Sequence, residues 1–281
     1  MKFHKYHGLG NDYIVIDPNE ASINLTNEII KLICNRYYGV GSDGILYGPA
    51  NKDSKPFSLR IFNPDGSEAE KSGNGIRIFS RYLWDIGLVT EKPFQISTKG
   101  GIVTSQVYNN GDMIKVEMGK ISFNAIDIPV TGKTGEVINQ EMIIGQRKLK
   151  YCAATIGNPH CIILGEQISP ELAKELGPII ECHPLFPNRT NIQFLKVLNN
   201  SEIQIEIWER GAGYTLASGS SSTAAAAVAY KLGLCGKNIK VHMQGGNLDI
   251  SFSNDFTATM IGPVTAVYDG IIKKDFFEKS I

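Results

Sequence analysis

Two Ser-Gly pairs, Ser72-Gly73 and Ser218-Gly219, each stand immediately before a stretch that favours a helix. A serine there caps the helix with its side-chain oxygen, and the first amides of the helix point outward, where they can bind an anion. Two such helix starts facing one cleft would hold a carboxylate, with Ser72 and Ser218 on opposite faces of the carbon that bears it. One group could remove a proton while the other returns one to the opposite face, which predicts inversion by two bases.

The alternative, that each serine is only a helix cap, is weakened by an internal repeat. The segments KSGNGIRIFSRYLWDIGL (71–88) and ASGSSSTAAAAVAYKLGL (217–234) align without a gap. Each is followed by a Gly-Gly hairpin and by a strand that ends in glycine. A duplicated unit predicts two pseudo-symmetric halves, whose equivalent points, Ser72 and Ser218, face a shared cleft.

These serines must be positioned by a mixture of strands and helices. Helices are expected at 25–37, 73–88 and 219–234. The strands expected from apolar alternation are 12–16, 57–62, 94–98, 112–118, 138–143, 148–156, 160–165, 191–197 and 202–208. We predict one domain from 1–119 with 265–281, and a second from 120–264.

Further polar residues lie at the ends of expected strands. Glu209 and Arg210 end the alternating segment EIQIEIWER, GNPH (157–160) follows a strand, and Asn191 begins another. In the segment NPDGSEAEK before Ser72, the Asn-Pro-Asp-Gly sequence predicts a tight turn between a strand and the helix. Each of these features is common when it occurs alone.

Composition and spacing exclude several classes of function. Lysine plus arginine equals aspartate plus glutamate at 28 each, so we expect neither nucleic acid nor a membrane as partner. The five histidines lack metal-ligand spacing and the five cysteines form no CxxC pair, so no metal site is predicted. The segment GLGND (8–12) lacks the third glycine of a dinucleotide-binding loop, so we expect no nucleotide cofactor there. Without a signal-like apolar run at the start, a cytoplasmic location is expected.

Taken together, these motifs resemble the diaminopimelate epimerase family across nearly the whole chain. HGLGNDY, NPDGSEAEKSGNGIR, GNPH, NRTNIQF and WERGAGYTLASG occur in the family's order and spacing. The resemblance implies an α/β (α+β) fold of two pseudo-symmetric domains, each a curved, mostly antiparallel sheet wrapped around a central helix, with the active site in the cleft between them. It also implies a homodimer, an amino acid substrate and catalysis without pyridoxal phosphate or another cofactor.

The resemblance also implies roles for individual residues. Ser72 and Ser218 occupy the catalytic positions, and His160 and Glu209 match polar groups beside them. Backbone amides at the helix starts would hold the reacting carboxylate, and side chains would hold the rest of the substrate, with Glu209 near the amino groups. The substrate-binding positions are Asn11, Asn63, Gly73, Asn74, Asn158, Asn191, Glu209, Arg210, Gly219 and Ser220.

This sequence departs from the family at both catalytic positions, where the family has cysteine. A thiol ionises far more readily than an alcohol, especially at a helix N-terminus, so we expect the chain as written to be almost inactive but still able to bind. Two explanations fit a simultaneous change: introduced substitutions that trap a complex, which the preserved surroundings favour, or natural divergence. Tyr214, where the family usually has glutamate, and the SSST stretch at 220–223 indicate a divergent subgroup.

Three functions remain open. The first is epimerisation of LL- to meso-diaminopimelate, in lysine and cell-wall precursor synthesis, which an arginine aimed at a second carboxylate favours. The second is another racemase or epimerase of the same fold, acting on histidine or a proline-like amino acid without pyridoxal phosphate. The third is binding of an amino acid without catalysis, which paired serines permit.

Overall fold

The computed structural model describes residues 1–21 and 24–278. Its strands are β1 (Lys2–Gly8), β2 (Asn11–Ile16), β3 (Ile45–Tyr47), β4 (Phe57–Ser58), β5 (Arg60–Phe62), β6 (Glu68–Ala69), β7 (Phe94–Thr98), β8 (Gly101–Tyr108), β9 (Met113–Lys120), β10 (Gln140–Ile144), β11 (Arg147–Thr155), β12 (Pro159–Leu164), β13 (Asn191–Asn199), β14 (Glu202–Glu209), β15 (Gly213–Thr215), β16 (Asn238–Met243), β17 (Gly246–Phe252), β18 (Thr257–Pro263) and β19 (Thr265–Ile271). Its helices are α1 (Asn27–Cys34), α2 (Gly73–Asp85), α3 (Pro170–Glu181), α4 (Gly219–Lys231) and α5 (Lys274–Glu278).

The chain divides into two compact units, Met1–Val116 with the residues from Gly262 onward, and Glu117–Ile261. The boundaries predicted from sequence, after 119 and 264, each differ from these by three residues (119 − 116 and 264 − 261). The exact extent of each domain stays a prediction.

The first unit surrounds α2 with strands. β19, β1, β2, β3, β5 and β6 form a sheet in that order, antiparallel except where β2 runs parallel to β3. β7, β8 and β9 form consecutive antiparallel pairs, and α2 contacts strands of both groups. Because large apolar side chains of α2 such as Phe79 and Tyr82 are buried, the helix fills the centre of the unit.

The second unit surrounds α4 in the same way. Its strands follow the order β10, β11, β12, β13, β14, β16, β17 and β18, antiparallel except for the β12–β13 and β14–β16 pairs. Alanines 224–227 of α4 are fully buried, so a helix that is covered on every side lies at the centre. α3 packs on β13, β14 and β15. Among the described residues, no helix is long and apolar enough to cross a membrane.

The structure corrects two sequence predictions about elements and adds one helix that was not predicted. The helix expected at 25–37 ends at Cys34, because Asn35 leaves helical geometry with ψ at 124°. The strand expected at 57–62 is interrupted into β4 and β5. The helix α3 was not predicted, since its Gly177-Pro178 pair is typical of a break.

Candidate functional site

In the first unit, Ser72 is the N-cap of α2, as predicted. Its Oγ accepts a hydrogen bond from the Gly75 amide at 3.0 Å, and the Tyr13 hydroxyl lies 3.3 Å from the same oxygen. The side chain of Gly75 is a single hydrogen, and a Cβ there would lie only 3.2 Å from Ser72 Oγ. The glycine therefore lets the cap approach its helix closely.

A chain of hydrogen bonds runs from α2 to the start of β2. Asn74 Nδ2 donates to Asn11 Oδ1 at 3.0 Å, and Asn11 Nδ2 donates to Asp43 Oδ2 at 2.9 Å. Arg36 holds the other oxygen of Asp43 at 2.7 Å. The structure thus brings the predicted residues Asn11 and Asn74 together. Asn63 belongs to its own turn, where its Nδ2 donates to Ser67 Oγ at 3.0 Å.

In the second unit, Ser218 is the N-cap of α4, again as predicted. Its Oγ accepts from the Ser221 amide at 3.3 Å and lies 3.5 Å from the Ser220 hydroxyl. Asn158 donates to Ser220 Oγ at 3.4 Å, and its Oδ1 lies 3.1 Å from Nε2 of His160. Four predicted residues of this unit are therefore linked by hydrogen bonds.

Two residues that the sequence analysis did not identify extend this network. Gln193 donates to the Ser221 hydroxyl at 2.9 Å. Because the Ser221 amide in turn donates to Ser218, Gln193 is linked to the cap of α4. Their inward positions on β13 and α4 follow from strand and helix periodicity, but the contact between them is not a local signal.

The imidazole of His160 is neutral in this environment. Burial lowers the pKa of His160 from 6.5 to about 3, and the neighbouring Gln193 side chain, which favours the charged form, offsets only part of that shift. Since Asn158 uses its amide nitrogen as a donor to Ser220, its Oδ1 accepts from His160 Nε2. The neutral ring therefore carries its proton on Nε2.

We expect His160 to make the folded state sensitive to acid. Below about pH 6.5 the imidazole binds a proton in the unfolded chain, whereas the folded chain resists protonation down to about pH 3. The unfolded state then binds more protons, so the free energy of unfolding falls as the pH falls, by up to about 1.4 kcal/mol per pH unit. Urea denaturation between about pH 7 and pH 4.5 measures this slope. His160→Gln should flatten it, and equal slopes would contradict the assignment.

A second group of predicted residues surrounds the end of β14. The buried Asn191 donates to the Pro159 carbonyl at 2.9 Å, and its Oδ1 accepts from the Arg210 amide at 3.0 Å. The exposed Arg210 side chain donates from Nη1 to the Asn188 carbonyl at 3.0 Å. Glu209, the last residue of β14, is half-buried. The backbone of Arg210 is thus held in place, while its exposed guanidinium is accessible to a ligand.

Tyr214, which stands where the family usually has glutamate, is held by a hydrogen bond within its own unit. It lies on β15, and its hydroxyl donates to Oε2 of the buried Glu206 at 2.7 Å. Burial and the bond to Glu206 raise the pKa of Tyr214 far above its ordinary value. Its side chain is therefore a neutral hydrogen-bond donor at every physiological pH.

Comparison with known proteins gives matches over almost the full length. The model of the family described as "Diaminopimelate epimerase" matches residues 3–124 and 152–267. "Diaminopimelate epimerase 2" of Nostoc sp. is 59% identical over 277 residues, covering 99% of this chain and 97% of the relative. A diaminopimelate epimerase of Desulfitobacterium hafniense is 36% identical over 281 residues, covering 98% and 99%.

Solved structures resemble the chain in fold at low sequence identity. A probable proline racemase from Agrobacterium radiobacter has a TM-score of 0.72 at 15% identity, covering 99% of this chain and 94% of that one. A hydroxyproline epimerase from Agrobacterium vitis has a TM-score of 0.68 at 14% identity, covering 97% and 90%. These likenesses confirm the predicted fold class, a mixed α/β architecture with two domains built on sheets.

Proposed function

We propose, since the chain belongs to the diaminopimelate epimerase family, that it binds LL-diaminopimelate and that positions 72 and 218 act on one α-carbon. The observation that carries this proposal is the matched geometry of the two caps. Each serine caps the helix at the centre of its unit and accepts a bond from the amide three residues on. Each helix start presents its first amides, at Gly73 and Asn74 or at Gly219 and Ser220, for the reacting carboxylate.

The distal end of the ligand is assigned to the group around β14. The guanidinium of Arg210 can bind a second carboxylate through two parallel hydrogen bonds, which a monocarboxylic amino acid would leave unmade. Asn63, Asn158 and Asn191 supply amides for the same end, and Glu209 supplies a carboxylate for an amino group. Asn191 holds the Arg210 backbone at 3.0 Å, which supports a part in orienting the turn as well.

With serine at both positions, the chain is proposed to bind its ligand without inverting it at an appreciable rate. Ser218 Oγ contacts the Ser221 amide and the Ser220 hydroxyl, neither of which removes a proton. Ser72 Oγ contacts the Tyr13 phenol, a far weaker base than a carboxylate or a neutral imidazole. With cysteine at both positions, inversion of the α-carbon of the ligand would require neither pyridoxal phosphate nor a metal.

The family also suggests the setting of this activity. We place it in lysine and peptidoglycan precursor biosynthesis, in the cytoplasm, in a homodimer. Sedimentation velocity would test the assembly, because a single species of twice the chain mass is expected.

Calorimetric titration tests the ligand assignment directly. LL-diaminopimelate should bind the chain as written, whereas histidine and trans-4-hydroxyproline should bind at least about tenfold more weakly, because both leave Arg210 without a carboxylate. Preference for either of those amino acids would instead assign the chain to another racemase or epimerase of the fold.

A further inference from the structure

Glu181, the last residue of α3, is a buried carboxylate with three side-chain hydrogen bonds. Only 4% of the surface of Glu181 is exposed to solvent. Oε2 accepts from the indole Nε1 of Trp208 at 2.7 Å, and Oε1 accepts from the Gly211 amide at 2.9 Å. Oε1 also accepts from Nη2 of Arg189. A carboxylate buried to this degree is stable only when such donors replace water.

Two of the three donors to Glu181 lie on either side of two residues assigned to ligand binding. Trp208 immediately precedes Glu209, and Gly211 immediately follows Arg210. One carboxylate therefore holds both ends of the Glu209–Arg210 segment. The arrangement fixes the direction in which both side chains leave the backbone, because neither flanking residue can rotate without breaking a hydrogen bond to a buried charge.

The packing of α3 makes room for this contact. Gly177 lies four residues before Glu181, on the same face of the helix. A Cβ at Gly177 would lie 2.4 Å from Cγ of Trp208, so the indole lies directly against the helix backbone. The absence of a side chain at 177 thus allows the indole N–H to reach Glu181.

We infer that Glu181 is the positioning residue for Glu209 and Arg210, and that it thereby sets the selectivity for a ligand with a second carboxylate. This inference depends on the proposed function, since the second carboxylate is that of diaminopimelate. Glu181 itself is buried and acts only through the Trp208–Gly211 segment. The ligand preference of the site is therefore controlled from the end of a helix that contributes no ligand contact.

The test compares Glu181→Gln with Glu175→Gln. Glu175 is on the same helix and is also paired with an arginine, Arg147 at 2.9 Å, but both side chains are half-exposed, at 54% and 52%. Binding of diaminopimelate and of lysine, which lacks the distal carboxylate, is measured by calorimetry. Glu181→Gln should weaken binding of diaminopimelate at least about tenfold and that of lysine at least about threefold less, because lysine can use Glu209 but not Arg210. Glu175→Gln should change neither.

Two measurements keep the inference testable if Glu181→Gln folds poorly. Trp208→Phe removes the indole donor and leaves the carboxylate in place, and a smaller fall in the same affinity ratio is expected. Hydrogen exchange of the Gly211 amide, followed by NMR, should be faster in Glu181→Gln or Trp208→Phe than in Glu175→Gln. Unchanged affinity ratios in folded variants would overturn the inference, and so would an unchanged Gly211 exchange rate.

The same experiment separates this inference from the proposed function. If the unaltered chain binds neither diaminopimelate nor lysine, the proposed function is wrong. The Gly211 exchange rate then decides alone whether Glu181 positions the turn. If the unaltered chain binds diaminopimelate and the variants keep the same ratio, the proposed function stands and the inference fails.

Discussion

Replacing Ser72 and Ser218 together by cysteine is expected to raise α-proton exchange of LL-diaminopimelate in D₂O by at least about a thousandfold, because general acid–base groups contribute roughly 10²–10⁴ each. An ordinary thiol has a pKa of about 8.5, and a helix N-terminus lowers it further. The hydroxyls now at these positions accept amide hydrogen bonds from their own helices. NMR of the α-proton signal measures the exchange, and chiral chromatography measures inversion to the meso form.

Single variants and a matched control make this result specific. Ser72→Cys or Ser218→Cys alone should exchange the proton at one face with little inversion, because the second base is missing. Ser169→Cys is the control, since Ser169 is also an N-cap, of α3, and accepts from the Leu172 amide at 3.2 Å. No exchange in a double variant that still binds diaminopimelate would instead support a protein that only binds amino acids.

Substitution of Arg210 by alanine is expected to weaken diaminopimelate binding about a hundredfold, or roughly 2.7 kcal/mol. The loss leaves a ligand carboxylate desolvated without its partner, which costs more than the missing bond alone. Arg210→Lys should give an intermediate affinity, because an ammonium cannot make the two parallel bonds of a guanidinium. Calorimetry measures the affinity for diaminopimelate, with serine kept at positions 72 and 218 so that the ligand is not turned over.

The control for Arg210 is Arg147→Ala. Arg147 is a half-exposed arginine of β11 that pairs with Glu175 on the surface of the same unit. Its loss should leave the affinity unchanged within about twofold, since exposed pairs contribute little. Equal affinities for the Arg210→Ala chain and the unaltered chain would show that the distal carboxylate binds elsewhere.

The parts of the site that sequence could predict are those with a local signal. The caps at Ser72 and Ser218 follow from Ser-Gly before an apolar or alanine-rich helix, and the structure has both. The Gly-Gly hairpins lie where the repeat places them, between β7 and β8 and between β16 and β17. Local capping and turn chemistry decide these features within a few residues of chain.

The parts that sequence could not predict depend on residues distant in the chain. Helix α3 forms despite Gly177-Pro178 because its apolar face packs on β13 and β14, and tertiary packing outweighs local propensity. The Gln193–Ser221 bond joins residues 28 positions apart, and Glu181 binds Gly211 across 30 positions. Neither contact has a periodicity or spacing that the sequence displays, so their discovery required the structure.

The run of buried alanines in α4 means that the two central helices are not interchangeable, although their sequences align without a gap. In α2 the space is filled from the helix, by side chains such as Phe79 and Tyr82. In α4 the helix contributes mainly small side chains, such as the fully buried alanines 224–227. Transplanting α2 into the second unit would overpack it, and α4 in the first would leave cavities. Each unit is therefore expected to pack well only around its own central helix, although both helices begin with the same Ser-Gly cap.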